Sequence, residues 1–373
     1  MKIKNKIVIY PYDIQSTPLL RYRHLLNDYE IIGVVSPKGW GLNNKDASSA
    51  DGGPNIGIIV NDKLENLFDK CDTVIFIESE NKLDFNKVIY PKILKSIDAG
   101  KNIICNLELE NDILSKIKLR CRENNVSFKY NFPHLNSNNS KITSEEIYEI
   151  NVPVIFVLGI TERTNKFNIQ LALRDKFLNE GYKVSQIGTK NYCEIFGFHS
   201  FPRFMFDPNI TENEKIISFN YLIKDIEQAE KPDVIIVGIP GGTFPINKMF
   251  THKFGILALE VSLGIKPDAA VFSVLYEDYY PEYFEQISNS IRYKFGFEVT
   301  CFNQSNTQLD WLTSKDQRRL VYNMLDSFFI DKKISNFSNL DKNILNVLNP
   351  NSSELIGSLI LDNLADNSSI ESI

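Results

Sequence analysis

The chain predicts an α/β protein of two three-layer domains, each a parallel β-sheet with helices on both faces. Three observations carry that expectation. Short, continuous apolar runs (Lys6–Tyr10, Thr73–Ile77, Val152–Leu158, Asp233–Gly238) alternate with stretches of helix length, the rhythm of strand–helix–strand units. The runs are apolar without alternation, which is how strands buried on both faces read. Finally, the Asn- and Ser-rich stretch Asn131–Ser144 divides the alternation into two halves, as a linker would. The 373 residues suit two domains. We place them at 1–130 and 148–329, with a linker over 131–147 and a tail over 330–373.

In the first half Lys6–Tyr10 opens the sheet. A helix then begins at Thr17–Pro18, with Thr17 as cap and Pro18 in the first turn, where its missing N–H costs nothing. Strands follow at Ile31–Ser36, Thr73–Ile77, Asn102–Cys105 and Val126–Tyr130, with helices at Pro91–Ala99 and Asn111–Asn124. Such sheets bind ligands at the carboxyl ends of their strands. The loop after the first strand, Pro11–Ser16, lacks the G-x-G-x-x-G fingerprint, so neither NAD nor FAD is expected. The loop after the second strand, Pro37–Pro54, is more unusual. It holds Gly39, Trp40, Gly41, Asp46 and Asp51-Gly-Gly where a ligand would dock. Two readings stay open: Trp40 offers a flat contact surface beside flexible glycines, or it folds back as the plug of a surface loop.

In the second half, the run ending at Leu158 meets Gly159, then the polar loop Ile160–Asn165, then Lys166 at the head of a helix. That helix repeats Ile169, Leu173 and Phe177 on one face and stops at Gly181. Strand, loop with lysine and helix make the phosphate-cradling arrangement of P-loop proteins, in which backbone N–H groups, a helix N-terminus and an ammonium face an anion. Gly159, Thr161, Glu162, Thr164, Asn165 and Lys166 are the candidates there, joined by Gly241, Gly242 and Thr243 after the strand Asp233–Gly238. Two positions depart from the pattern: Asn165 stands where glycine is usual, and Phe167 where Ser or Thr would hold magnesium. Lysine and helix end can still attract phosphate, whereas phosphoryl transfer without a metal ligand is harder to arrange. This half is therefore expected to be P-loop-NTPase-like in fold and the first half Rossmann-like.

The alternation continues with strands at Lys183–Ile187, Ala269–Leu275 and Phe297–Phe302 and helices at Glu214–Glu230, Glu282–Lys294 and Ser314–Phe329. Between them the aromatic loop Phe196–Phe204 carries His199 and Arg203, either as part of a second pocket with the Trp40 loop or as a seal on a core edge. In the tail, Leu355, Leu359, Leu361 and Leu364 predict one short helix that packs on the body or a partner, with fraying over Asn367–Ile373.

Composition narrows the function classes. Lys and Arg total 41 against 47 Asp and Glu, a net charge of −6 with no basic cluster, which argues against nucleic acid or an anionic membrane as partner. No apolar run approaches the roughly 18 residues of a membrane helix, and the opening segment is too short for a signal peptide, so a cytoplasmic protein is expected. The five scattered cysteines read as buried reduced thiols, and the four dispersed histidines suggest no metal site.

Gly159-x5-Asn165-Lys166, followed by Asp233–Pro245 with its Gly-Gly pair, resembles the long P-loop and second glycine loop of dethiobiotin-synthetase-like proteins, with eroded motifs. An acidic residue of that group is expected about where Gly238 stands. Gly39-Trp-Gly with Asp46 and Asp51-Gly-Gly, then Gly159–Lys166, then Gly241-Gly-Thr-Phe-Pro together resemble the accessory proteins of clostridial peptide-maturation cassettes, over roughly residues 5–330. The layout of a Rossmann-like half before a P-loop-like half is also similar to a bacterial family that includes D-amino-acid N-acetyltransferases. What these resemblances imply is a role in maturing a bacteriocin-like peptide, with the precursor peptide and maturation enzymes as partners and a homodimer as a candidate assembly. The implied cofactor is ATP or another nucleotide with Mg2+. The alternatives are an active nucleotide-dependent ligase or transferase of the dethiobiotin-synthetase-like class, and a non-catalytic scaffold.

Overall fold

The computed structural model describes residues 4–131, 145–337 and 341–370. Most of the expected linker lies outside the described residues. The chain forms two compact units, Met1–Phe132 with Asn191–Gly197, and Pro133–Lys190 with Phe198–Ile373.

The first unit is built on β1 (Asn5–Tyr10), β2 (Tyr29–Val35), β3 (Val60–Asn61), β4 (Thr73–Phe76), β5 (Asn102–Cys105) and β6 (Phe128–Tyr130), in the spatial order β3-β2-β1-β4-β5-β6. Every pairing is parallel, and the order is that of dinucleotide-binding folds, whose switch point lies between β1 and β4. The connecting helices are α1 (Thr17–Arg21), α2 (Tyr90–Asp98) and α3 (Asn111–Glu123). Val8, Tyr10, Val74, Phe76, Ile103 and Cys105 present one sheet face to Ile93 and Ile97 of α2 and Leu114 and Ile117 of α3. Thr17 does not cap α1. Ser16 holds that position, and the Ser16 and Thr17 hydroxyls both donate to the Asp13 carbonyl (3.0 and 3.2 Å), with Thr17 the first helical residue and Pro18 in the first turn. The segment Asn191–Gly197 joins this unit at the carboxyl ends of its strands. Asn106, just past β5, and Asn191 exchange amide-to-carbonyl bonds of 2.8 and 3.1 Å, and the buried Tyr192 hydroxyl donates to the Gln15 carbonyl at 2.6 Å.

The second unit contains β7 (Val154–Gly159), α4 (Lys166–Asn179), β8 (Val184–Gly188), β9 (His199–Ser200), α5 (Glu212–Glu230), β10 (Val234–Gly238), α6 (Ile256–Gly264), β11 (Ala269–Val274), α7 (Pro281–Phe295) and β12 (Cys301–Gln304). There follow β13 (Thr307–Leu309), α8 (Trp311–Gln317), β14 (Tyr322–Met324), α9 (Ser327–Ile334), β15 (Ile344–Leu345) and α10 (Pro350–Ile370). Its sheet runs β15-β12-β11-β7-β10-β8-β9, parallel throughout, and β13 and β14 form a separate antiparallel hairpin. β7 is central, and all six of its residues are buried. Phe156, Leu158, Val237 and Phe272 pack against Phe219 and Ile223 of α5, Val261 of α6 and Ile291 of α7.

Several expectations change here. No single helix covers Ser314–Phe329: α8 stops where Arg318 turns left-handed (φ 50°), and the Ser314 hydroxyl accepts from the Val321 N–H at 2.9 Å to start the return strand β14. The tail supplies a strand as well as a helix, because Ile344–Leu345 extends the sheet beside β12. Within α10 the inward face is Ile356 and Ile360, both fully buried, whereas Leu355 is exposed. α10 lies against α4, and Gly357 leaves room for the Lys176 stem, which a Cβ there would meet at 2.5 Å. With β7 beneath and α10 above, every residue of α4 from Lys166 to Leu173 is buried, more than the single face its period of four predicts. α6 was not foreseen, because Ile-Leu-Ala-Leu-Glu-Val-Ser-Leu-Gly is apolar on nearly every side.

Candidate functional site

β7 ends at Gly159, the chain turns, and α4 begins at Lys166. The turn depends on two left-handed residues, Arg163 (φ 62°) and Asn165 (φ 60°). Asn is among the few side chains that adopt this conformation readily. The exchange of glycine for Asn165 therefore keeps the backbone of the turn, and the Asn165 amide adds a 3.1 Å bond to Asn306 Oδ1. Gly159 has no room for a side chain, because a Cβ would lie 2.6 Å from Thr164 Oγ1 and 2.8 Å from the Ser273 carbonyl.

The Lys166 ammonium points inward. It donates to the Thr161 carbonyl at 3.2 Å and to the Gly241 carbonyl, and the residue is 7% exposed. Burial pushes the amine down to about 8, with Lys190 acting in the same direction and the Glu162 carboxylate opposing both. An ammonium has three N–H donors, and the two carbonyls account for two of them.

The second loop closes on the first. After β10, the Thr243 N–H and hydroxyl both donate to the Gly159 carbonyl (3.2 and 3.1 Å). A Cβ on Gly242 would lie 2.7 Å from the Ile160 carbonyl and 2.8 Å from the His252 ring. From β11 and β12, the Ser273 hydroxyl donates to the Thr164 carbonyl and Asn303 Nδ2 donates to Ser273 Oγ at 2.8 Å. From the β13–β14 hairpin, the Tyr322 hydroxyl lies 3.2 Å from Thr161 Oγ1, and the Arg163 guanidinium stacks over the Tyr322 ring at 5.2 Å. Gly159, Thr161, Thr164, Asn165, Lys166, Gly241, Gly242 and Thr243 thus meet at the carboxyl ends of β7, β10 and β11, while Glu162 is exposed at the turn.

Four further residues belong to this place. Phe167 is a core residue, 4% exposed and packed near Phe198 at 6.3 Å between ring centroids. Where an acidic group was expected near Gly238, the structure puts the Gln170 amide: a Cβ on Gly238 would overlap it, and Gln170 bonds the Lys166 carbonyl (3.1 Å), Thr189 Oγ1 (3.3 Å) and the Thr189 N–H (3.3 Å). Asn168, in the first turn of α4, is 5% exposed, and among the described residues its Oδ1 has no partner. His252 is the fourth, with its Nε2 in the same condition. Neither Asn168 nor His252 has a local motif around it; both emerge only once three loops are folded together.

The second group of candidates divides between the units, with Gly39, Trp40, Gly41, Asp46 and Asp51 in the first and His199 and Arg203 in the other. Gly39 and Gly41 are left-handed (φ 91° and 75°), and Trp40 is half-buried. Both carboxylates are engaged within the loop. Asp46 accepts from the N–H groups of Ser48, Ile56 and Gly57 (2.9, 3.0 and 2.8 Å). Desolvation raises its pKa, but the bonds from Ile56, Ser48 and Gly57 outweigh that and hold it down at about 2. Asp51 is 2% exposed and takes a bidentate contact from Arg21, with Arg21 Nε at 2.6 Å and Nη2 at 2.5 Å. His199 Nε2 lies 2.5 Å from a Glu230 carboxylate oxygen, and Arg203 opens a short turn over Arg203–Phe206. Among the described residues no group of three or more His, Cys, Asp or Glu could hold a metal ion, and no helix is long and apolar enough to cross a membrane. All five cysteines are buried and none is in a disulfide.

Comparison with known proteins supports the architecture. A crystal structure of a DUF1611 family protein from Anabaena variabilis ATCC 29413 superimposes over 96% of this chain and 100% of that one, with a TM-score of 0.60 and 10% identity, which shows the shared fold. Staphylococcus aureus homoserine dehydrogenase (TM-score 0.27, 12% identity, 60% of this chain and 54% of that one) is far weaker, as is NAD-bound GenD2 from gentamicin A biosynthesis (TM-score 0.25, 10% identity, 50% and 43%). Likenesses that small carry no argument. No family model and no curated protein matches the sequence.

Proposed function

We propose that the second unit binds a phosphate-bearing ligand through a degenerate P-loop, and that the protein serves as an accessory factor in maturing a ribosomally made, bacteriocin-like peptide. The observation that carries the ligand reading is the buried Lys166 ammonium at a strand–turn–helix junction, with two carbonyl bonds made and one N–H to spare. The peptide-maturation context comes from the resemblance in sequence alone. The donor set supports holding phosphate better than transferring it. Phe167 offers no oxygen, Asn168 brings a neutral amide, and Gln170 fills the space of the expected carboxylate. Thr161 Oγ1 and Thr164 Oγ1 are hydroxyl oxygens of this turn that could approach a nucleotide-bound Mg2+.

Isothermal titration with ATP and Mg2+, on the wild-type protein and on Lys166→Ala, tests the reading. Saturable binding that the variant loses supports it, and turnover would instead assign an enzyme of the dethiobiotin-synthetase-like class. If the wild-type protein binds neither ATP nor pyrophosphate, the phosphate reading fails. Capture of the precursor peptide then separates a peptide-binding accessory factor from a scaffold.

A further inference from the structure

The loop between Thr243 and α6 ends in an unusual backbone. His252, Lys253 and Phe254 are all left-handed (φ 47°, 50° and 57°), and Gly255 continues the turn at φ 70°. Left-handed conformations are ordinarily single residues, and each costs an L-residue free energy. Three side-chain-bearing residues in succession therefore need outside support. Lys294, on α7, provides it by donating to the Phe254 carbonyl at 2.6 Å and the Thr243 carbonyl at 2.9 Å, and the Phe254 N–H closes onto the Thr251 carbonyl at 2.7 Å.

What the turn accomplishes is the placement of one imidazole. The His252 ring lies against Gly242, close enough that a Cβ there would come within 2.8 Å of ring Cγ and 2.9 Å of Cδ2. Its Nε2 is shielded from solvent, and among the described residues no protein atom bonds to it. A buried polar atom left unpaired is costly, and strained backbone of this kind concentrates at functional sites. The ring is within electrostatic reach of the Glu162 carboxylate and the Lys166 ammonium, and burial lowers its pKa, which favours the neutral ring. A neutral imidazole carries one N–H.

We propose that His252 is a ligand-contacting residue of the Gly159–Lys166 site, its Nε2–H donating to an oxygen of a bound phosphoryl group alongside the Lys166 ammonium. This rests on the phosphate-binding reading above and adds to it a second donor, from the loop that follows Gly241–Thr243. The ligand class is a phosphate ester or polyphosphate, whose several oxygens accept from both groups.

The test is titration of the full-length protein with pyrophosphate, comparing wild type, Lys166→Ala, His252→Ala and His252→Gln. The amide nitrogen of glutamine reaches about as far as imidazole Nε2, so it restores a donor. A hydrogen bond to a charged group is worth roughly tenfold or more in affinity. His252→Ala should therefore weaken binding by about tenfold or more, and His252→Gln should recover a clear part of it. In 15N-labelled protein the His252 Nε2–H resonance should shift when pyrophosphate binds and show coupling to phosphorus across the new hydrogen bond, which a merely structural ring would not do. Unchanged affinity in a folded His252→Ala protein, or a Gln variant no better than Ala, overturns the role of His252 and leaves the phosphate reading intact. If His252→Ala does not fold, the Gln variant and the nitrogen resonance decide. Absence of pyrophosphate binding in the wild-type protein sinks both readings together.

Discussion

Gly238→Ala probes how the second unit replaces a carboxylate with a glutamine. A methyl at 238 would overlap the Gln170 carboxamide, which is fully buried and has no slack to take up the displacement. For the methyl to fit, the amide must swing away from the Lys166 carbonyl, Thr189 Oγ1 and the Thr189 N–H. Each lost bond costs about 1 kcal/mol net, and overpacking a closed core adds about 1–3 kcal/mol. We expect a loss of about 4–6 kcal/mol from these two terms. At about 2–4 °C per kcal/mol for a domain of this size, the midpoint of thermal melting followed by circular dichroism should fall by about 8 °C or more. Gln170→Ala removes the obstacle, so the double variant should be more stable than the two single losses predict, by about 1–2 kcal/mol of coupling. A Gly238→Ala protein within about 0.5 kcal/mol of wild type, or strict additivity of the pair, would refute the reasoning.

Two further outcomes follow from groups already described. Burial holds the folded Lys166 amine at about 8, below its ordinary 10.5. Between those values the unfolded chain carries more protons than the folded one, so stability rises with pH over that window, and the penalty is complete below it. Urea unfolding from pH 7 to 10.5 should show this rise, on the order of 3 kcal/mol, in the wild-type protein relative to Lys166→Met; parallel pH profiles would contradict it. In the first unit, Asp51→Ala strands the Arg21 guanidinium in a buried setting, where breaking an ion pair costs about 3–5 kcal/mol. Thermal melts should show Arg21→Ala/Asp51→Ala losing less than the sum of the singles, and simple additivity would count against the pair.

Much of the architecture was legible because buried parallel strands announce themselves. Asn102–Cys105 matches its strand residue for residue, and Thr73–Ile77 overruns its strand by one residue. Helix starts were less secure. α5 begins at Glu212 instead of Glu214, because Thr211 and Glu214 form a reciprocal capping box at the preceding residue. Ser314–Phe329 misled because its composition suits a helix, while the Arg318 turn and the Ser314–Val321 bond, which break it, are tertiary choices. Of the site, Lys166 and the glycines could be read from spacing. Asn165 seemed a defect until its left-handed backbone showed that it performs glycine's geometric task. Gln170, His252 and Tyr322 were invisible, since each arrives from a different element and its neighbours in sequence say nothing about its neighbours in space.

The short segment Asn191–Gly197 has a consequence for how the chain is made. It is synthesised after β7, α4 and β8 of the other unit, yet Asn106 and Gln15 wait for it to complete their bonding. A ribosome must therefore release some sixty residues beyond Asn131 before the first unit has all its residues. The protein cannot be assembled as two beads threaded one after the other. A protease cut anywhere between 131 and 191 would sever the covalent link between the six strands and the residues that bond Asn106 and Gln15 at their carboxyl ends, even though no strand had been lost.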